Sequence, residues 1–425
     1  MSVVSKLTQG VELPKMVKIK QNFDRSHISE EKIPQVVYDQ LQREEIKLQI
    51  KPGMKVAITC GSRGIANINI IIKAIVDFVK QCQGQPFVIP AMGSHGGATP
   101  EGQKQILNDY GVTEEFLDCP VISSMETKQI GSTAEGHPVL IDKHAAEADA
   151  IIVCGRIKAH TAFQGSYESG LMKMMTIGLG KQHGAEVTHE AGFGKMAHLV
   201  PLFGNAIRKN ANIICGLGII ENAFDQTYKL IGLTNEEILE KEPELLLEAK
   251  RMMGRILFES ADVLIVDKIG KNCSGDGMDP NVSGRFGTPY ASGGIQSERV
   301  VVLDLTNETH GNANGIGMAD ITTQRLVDKM NLEITYPNAI TSTLINMVKI
   351  PLYLKTDKEA IRLALKTCNH ADKLNSRIVR IQDTMHLEYI YISEAMLEEA
   401  TRNPDIEVVG KPEKWPFDEE GNLHL

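Results

Sequence analysis

The sequence has no Lys/Arg-rich block, no apolar run long enough to span a bilayer, no C-x-x-C pair and no complete phosphate-cradling glycine motif. Each absence removes a class of function. With no basic block and a formal net charge of −9, neither nucleic acid nor a membrane surface is expected as a partner. A small anionic ligand stays open to such a chain, provided cations are gathered locally. The longest apolar runs are strand-length and no charged segment followed by an apolar one opens the chain. No signal peptide or membrane span is therefore expected, and a cytoplasmic location is. The seven cysteines are odd in number and scattered, which reads as reduced, mostly buried thiols and not as a zinc or iron–sulfur site. Without a Walker A motif or a full G-x-G-x-x-G, ordinary ATP or NAD use has no local signature. Without a G-x-S-x-G elbow, Ser94 beside His95 is a weak nucleophile motif.

What is present is a pattern of alternating strands and helices. At 425 residues, with 42% hydrophobic and 23% charged residues, the chain is of globular composition and long enough for two domains. The expected fold class is α/β, as two α/β domains with the active site in the cleft between them. Expected boundaries are 1–265 for the first domain, 266–395 for the second and 396–425 for a polar tail. VAITCGSRG reads as a buried strand ending in glycines, followed by an apolar-faced helix from Asn67 to Val79. PFVIPAMGSHGGATPEG repeats the unit, with Thr99 as N-cap and Pro100 at the first helical position. Ligands of such sheets sit beyond the carboxyl ends of the strands, where Arg63, Ser94, His95 and Thr99 would lie. Further helix starts are marked by Thr234 with Glu237 and by Thr356 with Glu359. The Gly/Asn/Asp-rich loop after residue 269, with Asp279, Asn281 and Arg285, is too long for a simple connector and reads as a binding loop.

The run from Asp149 to His189 stands out. A short apolar strand ends at glycine, and His160, Lys173, Lys181, His183 and His189 follow, interrupted by Gly165, Gly170, Gly178 and Gly180. One continuous helix would hold Lys173 and His189 roughly 24 Å apart at about 1.5 Å per residue. The Gly-x-Gly at 178–180 instead favours a chain that doubles back, with both side chains facing one cavity. Any single histidine is more often a hydrogen-bonded or solvated residue than a catalyst, and His27, His144, His370 and His424 keep that ordinary reading. His95, His160 and His189 rise above it by their glycine-rich settings. Lys173, among Leu171, Met172, Met174 and Met175, reads either as a lysine snorkelling from an apolar surface or as a desolvated nucleophilic amine.

These residues, in this order, resemble the nickel-dependent lactate racemases and related 2-hydroxyacid racemases and epimerases, over about residues 50 to 395. Cys60-Gly61-Ser62-Arg63 stands where that family has Asp-His-Thr-Arg. Gly93-Ser94-His95-Gly96-Gly97-Ala98-Thr99 stands for its Gly-x-His-Arg-Pro-x-Thr, and Lys158-Ala159-His160 for its Glu-Ser-His. Lys173 and His189 keep the sixteen-residue spacing between the lysine that carries the pincer-shaped pyridinium nucleotide and the histidine that ligates nickel. The resemblance implies a nickel-pincer nucleotide attached at Lys173, nickel on His189, and Ser62 and Arg63 near the cofactor. It implies His95 and His160 as an acid–base pair, with Arg63 and, in the second domain, Arg285 holding the substrate carboxylate. The implied partners are a small anionic 2-hydroxy acid and the cofactor-synthesis enzymes. The implied reaction passes through a 2-oxo acid by proton-coupled hydride transfer. The sequence departs from the family at Cys60, in three extra residues between His160 and Lys173, and in the Leu-Met-Lys-Met setting of the lysine. A binding relative without catalysis and a nicotinamide-dependent 2-hydroxyacid dehydrogenase are the alternatives.

Overall fold

Short β-branched runs closed by glycine or proline become strands buried on both faces, as a sheet covered by helices requires. In the computed structural model, which describes residues 3–369, 371–373 and 375–425, these strands build a mixed α/β protein with two main sheets. His370 lies outside the described residues. In chain order the strands are β1 Met16–Gln21, β2 Lys55–Cys60, β3 Gln85–Pro90, β4 Thr127–Ser132 and β5 Pro138–Asp142. Next come β6 Ala150–Arg156, β7 Ile213–Glu221, β8 Thr227–Thr234, β9 Ser260–Ile269 and β10 Gln296–Leu305. The last are β11 Ile321–Thr323, β12 Leu352–Leu354, β13 Ile378–Ile381, β14 Tyr389–Ser393 and β15 Ile406–Val408. Among the described residues no helix is long and apolar enough to cross a membrane.

The chain divides into two compact units, Arg25–Met253 and a discontinuous one made of Met1–Asp24 with Gly254–Leu425. The sheet of the first, or central, unit has the order β3-β2-β6-β7-β8, parallel except for β8. The helix Ile68–Gln81 buries Ile71, Ile72, Ile75 and Val79, the face that the sequence pattern marks. Helix Pro100–Asp109 begins as expected, with the Thr99 side chain accepting from Gly102 N and proline in the first turn. Cys60 and Pro90 are register partners, so β2 and β3 end abreast. The loops that leave β2, β3 and β6 carry Ser62, Arg63, His95 and His160.

The other unit has the sheet order β12-β11-β10-β9-β13-β14-β1-β15. The division expected at 265/266 would cut β9, which pairs along its length with β10 on one side and β13 on the other. The strand is central to that sheet, and the chain changes unit before it. The first 24 residues also belong here, because β1 pairs with β14 and β15. The segment 396–425, expected as a tail, packs into the same unit. It supplies β15, the buried Leu423 and Trp415, whose indole N–H donates to Pro14 O at 2.9 Å. All seven cysteines are free, five of them buried, as expected.

Candidate active site

The segment after β6 is more helical than its glycines suggest. Leu171–Lys173 is a turn of α-helix, Met174–Gly178 a π-helical turn and Lys181–His189 a second α-helix. The break between them falls one residue past the Gly-x-Gly, at Lys181, whose φ is +53°. Gly178 serves a different need from the expected turn. A Cβ there would come within 2.6 Å of Ala91 O, so only glycine lets the π turn rest against the end of β3. π turns recur at functional sites because they shift side chains out of the regular helical register.

Six of the seven candidate residues lie in the central unit. Lys173 Nζ is 2.5 Å from His160 Nε2. Burial first, then positive charge at Lys173, Arg63 and His189, holds the His160 imidazole well below its ordinary range. His189 has an open edge, yet the protein crowded around its other side, followed by Lys173, lowers it to about 4. Arg63, His160, Lys173 and His189 therefore share one electrostatic neighbourhood, as a doubled-back chain requires. Ser62 Oγ is hydrogen-bonded to His95 Nδ1, and Tyr110 OH donates to Ser62 O at 3.0 Å. Ser62, read above as near the cofactor, thus touches the candidate acid–base histidine directly.

Several supporting residues were not singled out by the sequence. Glu168, buried at the exit of the His160 loop, accepts from His160 N at 2.8 Å and pairs with Lys250 at 2.7 Å. Glu242 Oε2 accepts from Met172 N at 3.0 Å and so caps the turn that carries Lys173. Lys181 is wholly buried. Its ammonium donates to Pro90 O at 2.6 Å and Gln103 Oε1 at 3.1 Å and is paired with Asp142 Oδ2 at 3.1 Å. The Gln103 amide in turn donates to Gly93 O at 2.9 Å and His95 O at 3.2 Å. One buried cation thereby ties the His95 loop to the helix break below Lys173. Its only local sign was a lysine beside glycines, which looks the same when solvated.

Arg285 belongs to the other unit. Its Nη2 meets Asp320 Oδ2 at 2.8 Å, Ser297 O at 3.1 Å and Glu298 O at 3.2 Å. Asp279 caps the short helix Pro280–Ser283, accepting from Asn281 N. Among the described residues no three His, Cys, Asp or Glu side chains converge as a metal cage.

With that geometry in place, a model of the lactate racemase N-terminal domain matches residues 8–198. Residues 8–198 are thus similar to the N-terminal domain of lactate racemases. The match takes in every candidate from Ser62 to His189 and stops short of Arg285. The lactate racemase apoprotein from Thermoanaerobacterium thermosaccharolyticum is similar in structure, with a TM-score of 0.54 and 13% identity over 87% of this chain and 99% of that one. A protein from Thermotoga maritima is similar with a TM-score of 0.50 and 11% identity over 86% and 99% of the two chains. At such identities the likeness is one of fold. No curated protein matches.

Proposed function

We propose that this chain is a lactate-racemase-like racemase or epimerase of a 2-hydroxy acid. A nickel-pincer nucleotide would be carried on Lys173, with nickel on His189. The observation that carries the reading is that an amine and a neutral, open-edged imidazole share one electrostatic neighbourhood. Lys173 offers the nitrogen for a covalent link, and His189, lowered to about 4, offers an unprotonated ring nitrogen at any physiological pH. A lone imidazole is one donor, so a metal there needs further ligands from its carrier. The residues fit the group on both counts.

When bound, the nucleotide supplies a reversible hydride acceptor, which spares the chain from removing a Cα proton beside a carboxylate. The chain's own residues do the rest. Arg63 suits the substrate carboxylate through its planar fork. His160 and His95 are proposed to address the hydroxyl from opposite faces, and His95, held at Nδ1 by Ser62, leaves Nε2 to take or give the proton.

The test is production together with the cofactor-synthesis enzymes, followed by nickel analysis, peptide mass mapping and chiral chromatography of lactate and larger 2-hydroxy acids. The expected result is an adduct at Lys173, one nickel per chain lost in His189→Ala, and interconversion of enantiomers or epimers. Racemisation by protein whose Lys173 is unmodified would defeat the reading, as would a loaded protein inert towards every 2-hydroxy acid.

A further inference from the structure

The contacts at the two ring nitrogens of His160 decide the state of its neighbour. Nδ1 accepts the backbone N–H of Ala162 at 3.0 Å, so in the neutral ring the single proton sits on Nε2. Nε2 stands 2.5 Å from Lys173 Nζ. An ammonium there would set donor against donor. The other tautomer would turn a ring N–H against the N–H of Ala162, and a doubly protonated ring would do the same. That positively charged ring is also opposed by burial and by Arg63 and His189. The arrangement that satisfies every donor is Nε2–H donating to an unprotonated amine. Phe163, its ring centroid 4.3 Å from that of His160, fixes the imidazole against swinging away.

We propose that His160 holds Lys173 as a free-base amine, ready for acylation, and that acylation then releases His160 to the substrate. The identity of the acyl partner rests on the function proposed above, while the state of the amine is a property of this chain alone. The amine lone pair attacks an activated acyl or thioacyl carbon. The N–C bond forms, the bond to the leaving group breaks with its electron pair, and one amine proton passes to solvent. The nitrogen of the resulting amide or thioamide has its lone pair in conjugation and no longer accepts a hydrogen bond. His160 Nε2–H loses its acceptor and becomes available to a substrate oxygen. One histidine thus serves attachment first and a substrate hydrogen bond afterwards, and His160 is a positioning residue for the first step.

The test uses the full chain produced without cofactor-synthesis enzymes and the N-hydroxysuccinimide ester of acetic acid at limiting concentration, with peptide mass mapping between pH 7 and 9. Exposed lysines should react about ten-fold faster per pH unit, because each unit raises their free-base fraction by that factor. Lys173 should react at a rate that changes less than three-fold across the range, and in His160→Phe it should regain the steep dependence. A ten-fold rise per unit at Lys173 in the unaltered chain would overturn the proposal. Should His160→Phe not fold, nitrogen-15 chemical shifts of the His160 ring in the unaltered chain decide the point. The Nε2–H tautomer supports the proposal and the Nδ1–H tautomer overturns it. A chain with a pH-insensitive Lys173 that never racemises retires the racemase reading alone. A racemase with a steeply pH-dependent Lys173 retires this one alone.

Discussion

Glu242 holds the turn that carries Lys173 by the Met172 amide, and it does so from a place where a charge is costly. Burial pushes its carboxyl up to about 8, against the lowering effect of the Met172 and Leu171 amides. Its Oε1 is buried without a hydrogen-bond partner, and a Cβ on Gly170 would strike that oxygen. The unfolded carboxyl titrates near about 4.3, so above that pH the folded chain keeps a proton that the unfolded chain lacks, and stability falls as pH rises towards 8. His160 and His189 act in the opposite sense, since their lowered values remove stability only as pH falls below about 6.5. Between pH 6.5 and 8.5 the Glu242 contribution is therefore isolated from theirs. Glu242→Gln, neutral throughout, should flatten the loss of thermal midpoint across that window and be more stable at pH 8.5 by on the order of 1 kcal/mol. A variant that loses as much stability as the unaltered chain would show that Glu242 is ionised in the fold. At this scale the sequence drew attention to side chains by local setting, as with Lys173 and His189, whose roles are proposals. It concealed Glu242, Glu168 and Lys181, whose roles come from burial by distant segments.

Elements whose signals lie within one turn of chain were legible. Thr99 with Pro100, Thr234 with Glu237 and Thr356 with Glu359 each cap the helix they mark, because cap and capped amide are sequence neighbours. Elements set by packing were not. The stretch from Ile321 reads as helix but begins as β11, since β10 and β12 flank it and pair with it, and its helix starts only at Gln324. The π turn at 174–178 and the break at Lys181 likewise follow from contact with the end of β3. The Lys181–Gln103 link makes a prediction at this scale. Gln103→Glu keeps an acceptor for the ammonium but turns oxygens towards Gly93 O and His95 O, where the native amide donates. Amide hydrogen exchange at residues 93–99 should rise at least ten-fold while that of β2 and β6 stays put. In loaded enzyme, kcat should fall with KM little changed, because the His95 loop, and not the bed of Lys173, has come loose. Unchanged exchange at 93–99 would dismiss the clamp.

The order of the chain hides the division of the molecule, because one unit is interrupted by the other. Length alone predicted two domains, and hydrophobic pattern placed the boundary one strand late. Nothing local in Met16–Gln21 says that it pairs with strands nearly 400 residues away. Yet Val17 and Ile19 are fully buried there, and the Gln21 side chain donates to Leu387 O at 2.7 Å and accepts from Leu257 N at 2.6 Å. Residues 25–253 have both their sheet and their helices in continuous sequence, so as a fragment they should unfold cooperatively and retain the lowered titration of His160. Residues 254–425 alone lack β1, which leaves β15 without its strand partner and Leu257 N without its acceptor. That fragment should be largely unfolded, and a peptide of residues 10–24 added in trans should restore a cooperative transition with a midpoint that rises with peptide concentration. If 254–425 unfolds cooperatively without the peptide, at a midpoint the peptide does not move, β1 is an accessory edge and not a structural member of the unit.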